Sequence, residues 1–204
     1  MKRTEEGERQ LRAVGSRFKT RADGNERIIE GYFAVFDSVY QIDDTMSESI
    51  AKGAFTDSIA GDIRALIDHN TMYVLGRTKA GTLQLTENSH GLYGKIIINS
   101  EDRSAMNLYE RVKRGDVSQC SIGFDILEET PEEKAGGRIH WTIKKILLYE
   151  VSVCTFPAYE ETNVEARRKQ YDEIRHKTAD RIREQHTEEW RAEMKPKLKA
   201  VHNR

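Results

Sequence analysis

Between Ile28 and Pro157 short apolar runs are separated by glycine and Asp/Asn turn residues, whereas from about Asn163 onward hardly any apolar residue stands between the charges. This partition limits what the chain can become. Apolar runs bounded by turn residues build strands, and a stretch without an apolar face cannot build a core of its own. The expectation is one compact domain over residues 1–162 and a charged helical tail over 163–204. Within the tail Ile174, Ile182 and Trp190 recur every eight residues with Thr178 between them, a narrow stripe on an otherwise charged helix. Such a helix either lays its stripe on the domain or on a partner, or serves as a dispensable targeting or scaffold-docking arm.

Most of the compact part reads as strand. Leu11 to Arg21 and Arg27 to Phe36 are β-rich and joined by Asp23-Gly24-Asn25, a hairpin signal. Ser47 to Ala60 reads as one or two short helices capped by Ser47 and interrupted by Gly53. "IRALIDHN" is a strand ending at Asp68-His69-Asn70, and Leu83, Leu85, Leu92 and Lys95 to Asn99 supply further strands that turn at Asn88 to Gly91. "SEDRSAMNLYERVKRG" is a helix with a Ser100 cap, an Ala105/Leu108/Val112 stripe, and basic residues and Gly115 at its end. Asp125 to Glu133 leads into a polar loop with Gly136-Gly137, after which Arg138 to Ile146 and Leu147 to Cys154 are strands. Many strands and few helices, without regular βαβ alternation, predict a mainly β (α+β) fold: a closed or nearly closed antiparallel barrel with peripheral helices.

Composition narrows the function classes. The 33 Lys and Arg against 34 Asp and Glu give a net charge of −1, so no global field draws the protein to nucleic acid or a membrane surface. Cys120 and Cys154 both lie in apolar strand-like runs, which predicts reduced thiols in a cytosolic protein. Neither His-x-x-x-His nor Cys-x-x-Cys is present to seed a metal site, and nothing calls for a cofactor.

The stretch "DVSQCSIGF" places Ser118, Cys120, Ser121 and Gly123 where a buried strand would carry Val and Ile. Serine and cysteine there can be compact core residues. Their company suggests more, because His69 closes an apolar strand and Glu150 stands inside "ILLYEVSVCTFPA", the most apolar run of the chain. A buried carboxylate without a partner costs several kcal/mol, so Glu150 is expected to be paired, hydrogen-bonded or functional. A serine hydroxyl needs an adjacent base, imidazole suits that task, and a carboxylate on the far ring nitrogen fixes the tautomer. Alternation puts Ser121 on one face with Gln119 and Gly123, and Ser118, Cys120 and Ile122 on the other. Gly123 leaves room for a substrate backbone, which favours Ser121 over Ser118 as nucleophile.

"IIEGYFAVFD", "SESIAKGAF", "IRALIDHN…VLGRTKAGTLQL", "HGLYGKI", "VKRGDVSQCSIGFDI" and "LLYEVSVCTFPAY" resemble, in this order, the successive motifs of the tailed-phage prohead proteases, the capsid-maturation serine peptidases. The resemblance covers about Ile28 to Thr162, and "CSIGF" also resembles the nucleophile strand of the herpesvirus assemblins. It implies a barrel of the assemblin type and a serine endopeptidase whose catalytic residues fall on His69, Ser121 and Glu150, with His140 in "GGRIHWTI" as competitor for the third place. It implies as substrates the scaffold or the scaffold-like segment of the major capsid protein, and the protease itself, cut inside the assembling prohead in the host cytoplasm. It leaves room for a homo-oligomer. The alternative is a non-catalytic capsid assembly or scaffolding module on the same fold. As a peptidase, the chain should hold the His69 imidazole within ~3.5 Å of Ser121 Oγ on an adjacent strand, with Glu150 turned to the other ring nitrogen.

Overall fold

The structure is a computed structural model that describes residues 10–14, 18–24, 26–156 and 161–202. Its elements, in chain order, are strands β1 (Gln10–Val14), β2 (Lys19–Asp23), β3 (Glu26–Val35), β4 (Tyr40–Gln41), β5 (Met46–Ile50), β6 (Arg64–Ile67), β7 (Asn70–Arg77), β8 (Leu83–Glu87) and β9 (Gly91–Ile98), helix α1 (Arg103–Arg114), strands β10 (Gln119–Lys134) and β11 (Arg138–Cys154), and helix α2 (Glu161–His202). The chain divides into two units, Met1–Asn163 and Val164–Arg204.

The strands of the first unit do not close into a barrel. Among the described residues they form two open sheets, a seven-stranded one in the order β1-β10-β11-β5-β4 with β6 attached to β11 and β7 to β6, and a four-stranded one in the order β2-β3-β9-β8. Nor is the pairing wholly antiparallel, since β5 and β6 both run parallel to β11, β5 along Ile139–Ile143 and β6 along Glu150–Val153. The expected closed antiparallel barrel is therefore corrected. Alternation along a strand records which face is buried, not which neighbour takes its backbone groups, and here β11 is long enough to accept two parallel partners end to end. One apolar core serves both sheets: Ile29 and Phe33 of β3, Leu92 and Ile96 of β9, Ile122 and Phe124 of β10 and Val151 and Val153 of β11 meet the Leu108/Val112 face of α1. Each fully buried side chain of this kind contributes roughly 1.5–3 kcal/mol.

Other local expectations are corrected by pairing partners far away in sequence. Ser47 to Ala60 is not helical. Its first part is β5, paired with β11, and beyond Gly53, where φ is 87°, the chain continues in turns that bury Ala54 and Phe55. Backbone bonds from Ala51 N–H to Ile143 O (2.9 Å) and from Ile146 N–H to Ala54 O (3.0 Å) fasten the segment to β11 and override its helical spacing. Asp125 to Glu133 leads, as expected, to a turn at Ala135–Gly137, and does so as strand: β10 continues to Lys134 as one arm of a ribbon with β11, register Thr130↔Thr142 and Lys134↔Arg138. Its polar side chains are largely exposed because the ribbon needs only its backbone ladder. Of the expected run Leu11 to Arg21, β1 pairs with β10 and β2 with β3.

α1 follows its expected stripe, burying Ala105, Leu108, Tyr109 and Val112, but its cap is Asp102 rather than Ser100. Asp102 Oδ1 accepts from Ser104 N–H (2.8 Å) and Ala105 N–H (3.2 Å), a cap worth about 1 kcal/mol. Gly115 ends the helix at φ 92° with its N–H on Arg111 O and Val112 O. In the second unit α2 carries Ile182 exposed at 60%, and the Trp190 side chain, third in the expected stripe, lies outside the described residues. No helix among the described residues is long and apolar enough to cross a membrane.

Candidate active site

The β10–β11 register decides which side chains share a face. Cys120↔Val153 and Ile122↔Val151 turn into the core, so Ser121↔Ser152 and Gly123↔Glu150 lie on the other face of the sheet. Ser121, Glu150 and Ser152 are all buried there to 1% exposure or less. Ser118 lies ahead of β10 and is exposed.

His69 arrives from the opposite side of β11. β6 and β7 form a hairpin whose two turn residues, Asp68 and His69, have φ of 47° and 58°. Positive φ at both positions is the signature of a type I′ turn, and Asp, Asn and His are the non-glycine residues that tolerate it best. β11 holds the strained turn in place. Asp68 N–H donates to Val153 O (3.1 Å), His69 N–H to Ser152 Oγ (3.2 Å), and Thr155 N–H to Asp68 Oδ1 (2.8 Å). Beyond the turn the ladder jumps from Ile67↔Asn70 to Leu66↔Val74, so Thr71 to Tyr73 bulge outward and Met72 is exposed.

These constraints bring His69 and Glu150 together. His69 Nδ1 lies 2.6 Å from Glu150 Oε1, and Glu150 Oε2 accepts from Ser152 Oγ at 2.7 Å. A carboxylate can only accept here, so the imidazole proton belongs on Nδ1 and Nε2 is left as the basic nitrogen. Nε2 faces Cys154 Sγ at 3.9 Å. Burial first, then the charges of Asp68 and Glu150, push the Cys154 thiol up to about 12. A thiol so hard to ionise is a poor nucleophile.

Ser121 is brought to this face but not into contact with the imidazole. Its Oγ is buried and makes no hydrogen bond among the described residues, and β11 stands between β10 and the hairpin that bears His69, so the two are not on adjacent strands. His140 is elsewhere, its Nδ1 2.9 Å from Ser47 Oγ and its Nε2 2.9 Å from Ser49 Oγ. Beside Glu150 lies a pocket of about 220 Å³ walled by Leu66, Thr71, Val74, Tyr149 and Arg64. At its rim Arg77 holds Asp62 through two 2.6 Å hydrogen bonds, which lower the Asp62 carboxyl to about 2. No group of three or more His, Cys, Asp or Glu side chains converges as a metal site among the described residues.

The side chain at this site that the sequence reading passed over is Ser152. Its signal was present: in "EVSVC" Glu150, Ser152 and Cys154 alternate with Val151 and Val153, which puts a hydroxyl two residues from the carboxylate on the same face.

The family described as caudovirus prohead serine protease matches residues 16–177. Over 152 residues the chain is 30% identical to the "Prohead protease" of Enterobacteria phage HK97, covering 72% of this chain and 63% of that protein. The chain thus spans less than two thirds of the length of this relative. No solved structure matches it. A family match over most of the first unit, and a relative at this identity, place the chain among the caudovirus prohead serine proteases.

Proposed function

We propose that the protein is a serine endopeptidase in which Ser121 is the nucleophile, His69 the general base and acid, and Glu150 the group that orients the imidazole. The observation that carries this reading is the part-buried His69 Nδ1–Glu150 Oε1 contact of 2.6 Å, its carboxylate on the same sheet face as a buried serine hydroxyl that has no hydrogen-bond partner among the described residues. In the acylation step the Ser121 proton passes to His69 Nε2 as Oγ bonds to the peptide carbonyl carbon. The C–N bond then breaks as Nε2 returns that proton to the leaving amine. Water, deprotonated by Nε2, attacks the acyl-enzyme and releases the acid, restoring Ser121. Contacts of this kind are often long before substrate binds, so the Ser121–His69 hydrogen bond is expected to form in the substrate complex.

Membership in a prohead protease family and the likeness to the HK97 prohead protease support segments of a capsid or scaffold protein as substrates inside the assembling prohead; cleavage of the chain itself is part of the same proposal. A second reading, a non-catalytic assembly module on the same fold, draws on the absence of a Ser121–His69 hydrogen bond. A fluorophosphonate probe separates the two. Covalent labelling at Ser121, with fragments of a co-expressed capsid protein that disappear in Ser121→Ala, is the expected result; intact chains and no label in assembled particles would sink the peptidase reading.

A further inference from the structure

The hydroxyl of Ser152 touches both His69 and Glu150. It has one proton and two lone pairs. The proton goes to Glu150 Oε2 at 2.7 Å, and a lone pair accepts the backbone N–H of His69 at 3.2 Å. Glu150 therefore has both oxygens engaged, Oε1 by the imidazole and Oε2 by Ser152, which stops the carboxylate from rotating away. His69, at a positive φ that a non-glycine residue adopts only under constraint, has its amide held by the same oxygen. Ser152 is wholly buried, so neither bond is traded for water. Its register completes the arrangement: Ser152 pairs with Ser121 across β10–β11 and with Leu66 across β11–β6, placing it between the strand of the serine and the hairpin of the histidine.

We infer that Ser152 is a positioning residue of the site, holding the Glu150 carboxylate and the His69 backbone in the geometry that keeps the imidazole proton on Nδ1 and leaves Nε2 as the basic nitrogen. Its rival role, a second nucleophile, fits poorly because its proton already points at a carboxylate rather than at an imidazole nitrogen. The inference rests on the peptidase reading for its effect on rate, but its effect on the His69–Glu150 bond is independent of that reading.

The test compares the parent with Ser152→Ala and Ser152→Thr by two measurements. One is the rate of fluorophosphonate labelling, resolved into probe affinity and maximal rate. The other is the ¹⁵N-edited proton spectrum of the His69 Nδ1–H, which a short bond to a carboxylate moves downfield of the backbone amides. In Ser152→Ala the maximal labelling rate should fall about 10–100-fold, the scale of losing a supporting hydrogen bond, with probe affinity within twofold and the downfield proton broadened or lost. Ser152→Thr, which keeps the hydroxyl, should restore both. If Ser152→Ala does not fold, Ser152→Cys, similar in shape but a weak donor, is read in its place. An unchanged rate and an unchanged downfield proton would overturn the inference while leaving the peptidase reading intact. A parent that never labels, but whose downfield proton vanishes in Ser152→Ala, would sustain the positioning role and remove the peptidase reading.

Discussion

Glu150 Oε1 and His69 Nδ1 stand 2.6 Å apart although 81 positions separate the two residues in the chain. The carboxylate can only accept from Nδ1, whereas an amide in its place can present its NH₂ and draw the imidazole proton to Nε2, the wrong nitrogen for a base. Glu150→Gln is therefore expected to slow fluorophosphonate labelling by on the order of 10³-fold or more with little change in circular dichroism. Labelling within threefold of the parent would show that the pair is structural only.

Ser121→Ala should abolish labelling and at the same time leave the protein no less stable. Its Oγ is buried without a hydrogen bond among the described residues, a condition that costs about 1–3 kcal/mol, and alanine removes it with almost no cavity. A rise in melting temperature of roughly 2–4 °C per kcal/mol relieved is expected for a domain of this size. A clear drop would mean that Oγ has a partner in the folded protein.

The Cys154 thiol, pushed up to about 12 from 9.0 by burial first, should resist iodoacetamide at pH 8 in the native protein and react once unfolded in guanidinium. Because its folded value lies above the unfolded one, the associated stability is fully present below pH 9.0 and is lost as pH rises from there toward about 12. Cys154→Ala, although less stable at neutral pH, should show a flatter alkaline limb in thermal melts. Native labelling as fast as that of a free thiol would contradict the burial on which this rests.

Acid stability should depend on His140. Burial first, then Lys134, lower its value from 6.5, against the pull of Glu132 and Glu48. A folded value below the unfolded one means stability that is present above pH 6.5 and is lost as pH falls through the folded value. His140→Gln, which keeps hydrogen-bonding groups for Ser47 and Ser49, should lose less melting temperature between pH 7 and pH 5 than the parent. Parallel curves for the two proteins would rule His140 out as the acid-sensitive group.

Much of this protein can be read locally. The α1 stripe, the strands from Leu83 to Ile98, the long charged helix after the strand-rich part and the placing of Ser121 on the opposite face from Cys120 and Ile122 all follow from periodicity, because period and burial are properties of neighbouring residues. The motif around Glu150 signalled a buried carboxylate in need of a partner, and motif resemblance singled out His69 and Ser121.

What the sequence could not decide is which backbone meets which. The same alternating strands would suit a closed barrel or two open sheets. The choice lies in long-range pairings, β5 and β6 running parallel along β11 and β1 crossing to β10, that leave no local trace. Those pairings turned Met46–Ile50 into a strand against a local signal for helix, and carried β10 to Lys134 along β11. They also made the site, since Asp68 and His69 reach their left-handed turn beside Glu150 only because β11 holds it there through Val153 and Ser152. Local sequence determined the chemistry of each side chain and the face it occupies. Tertiary structure alone decided the distances between them, because a hydrogen bond between residues 81 apart is set by the register of the strands that carry them.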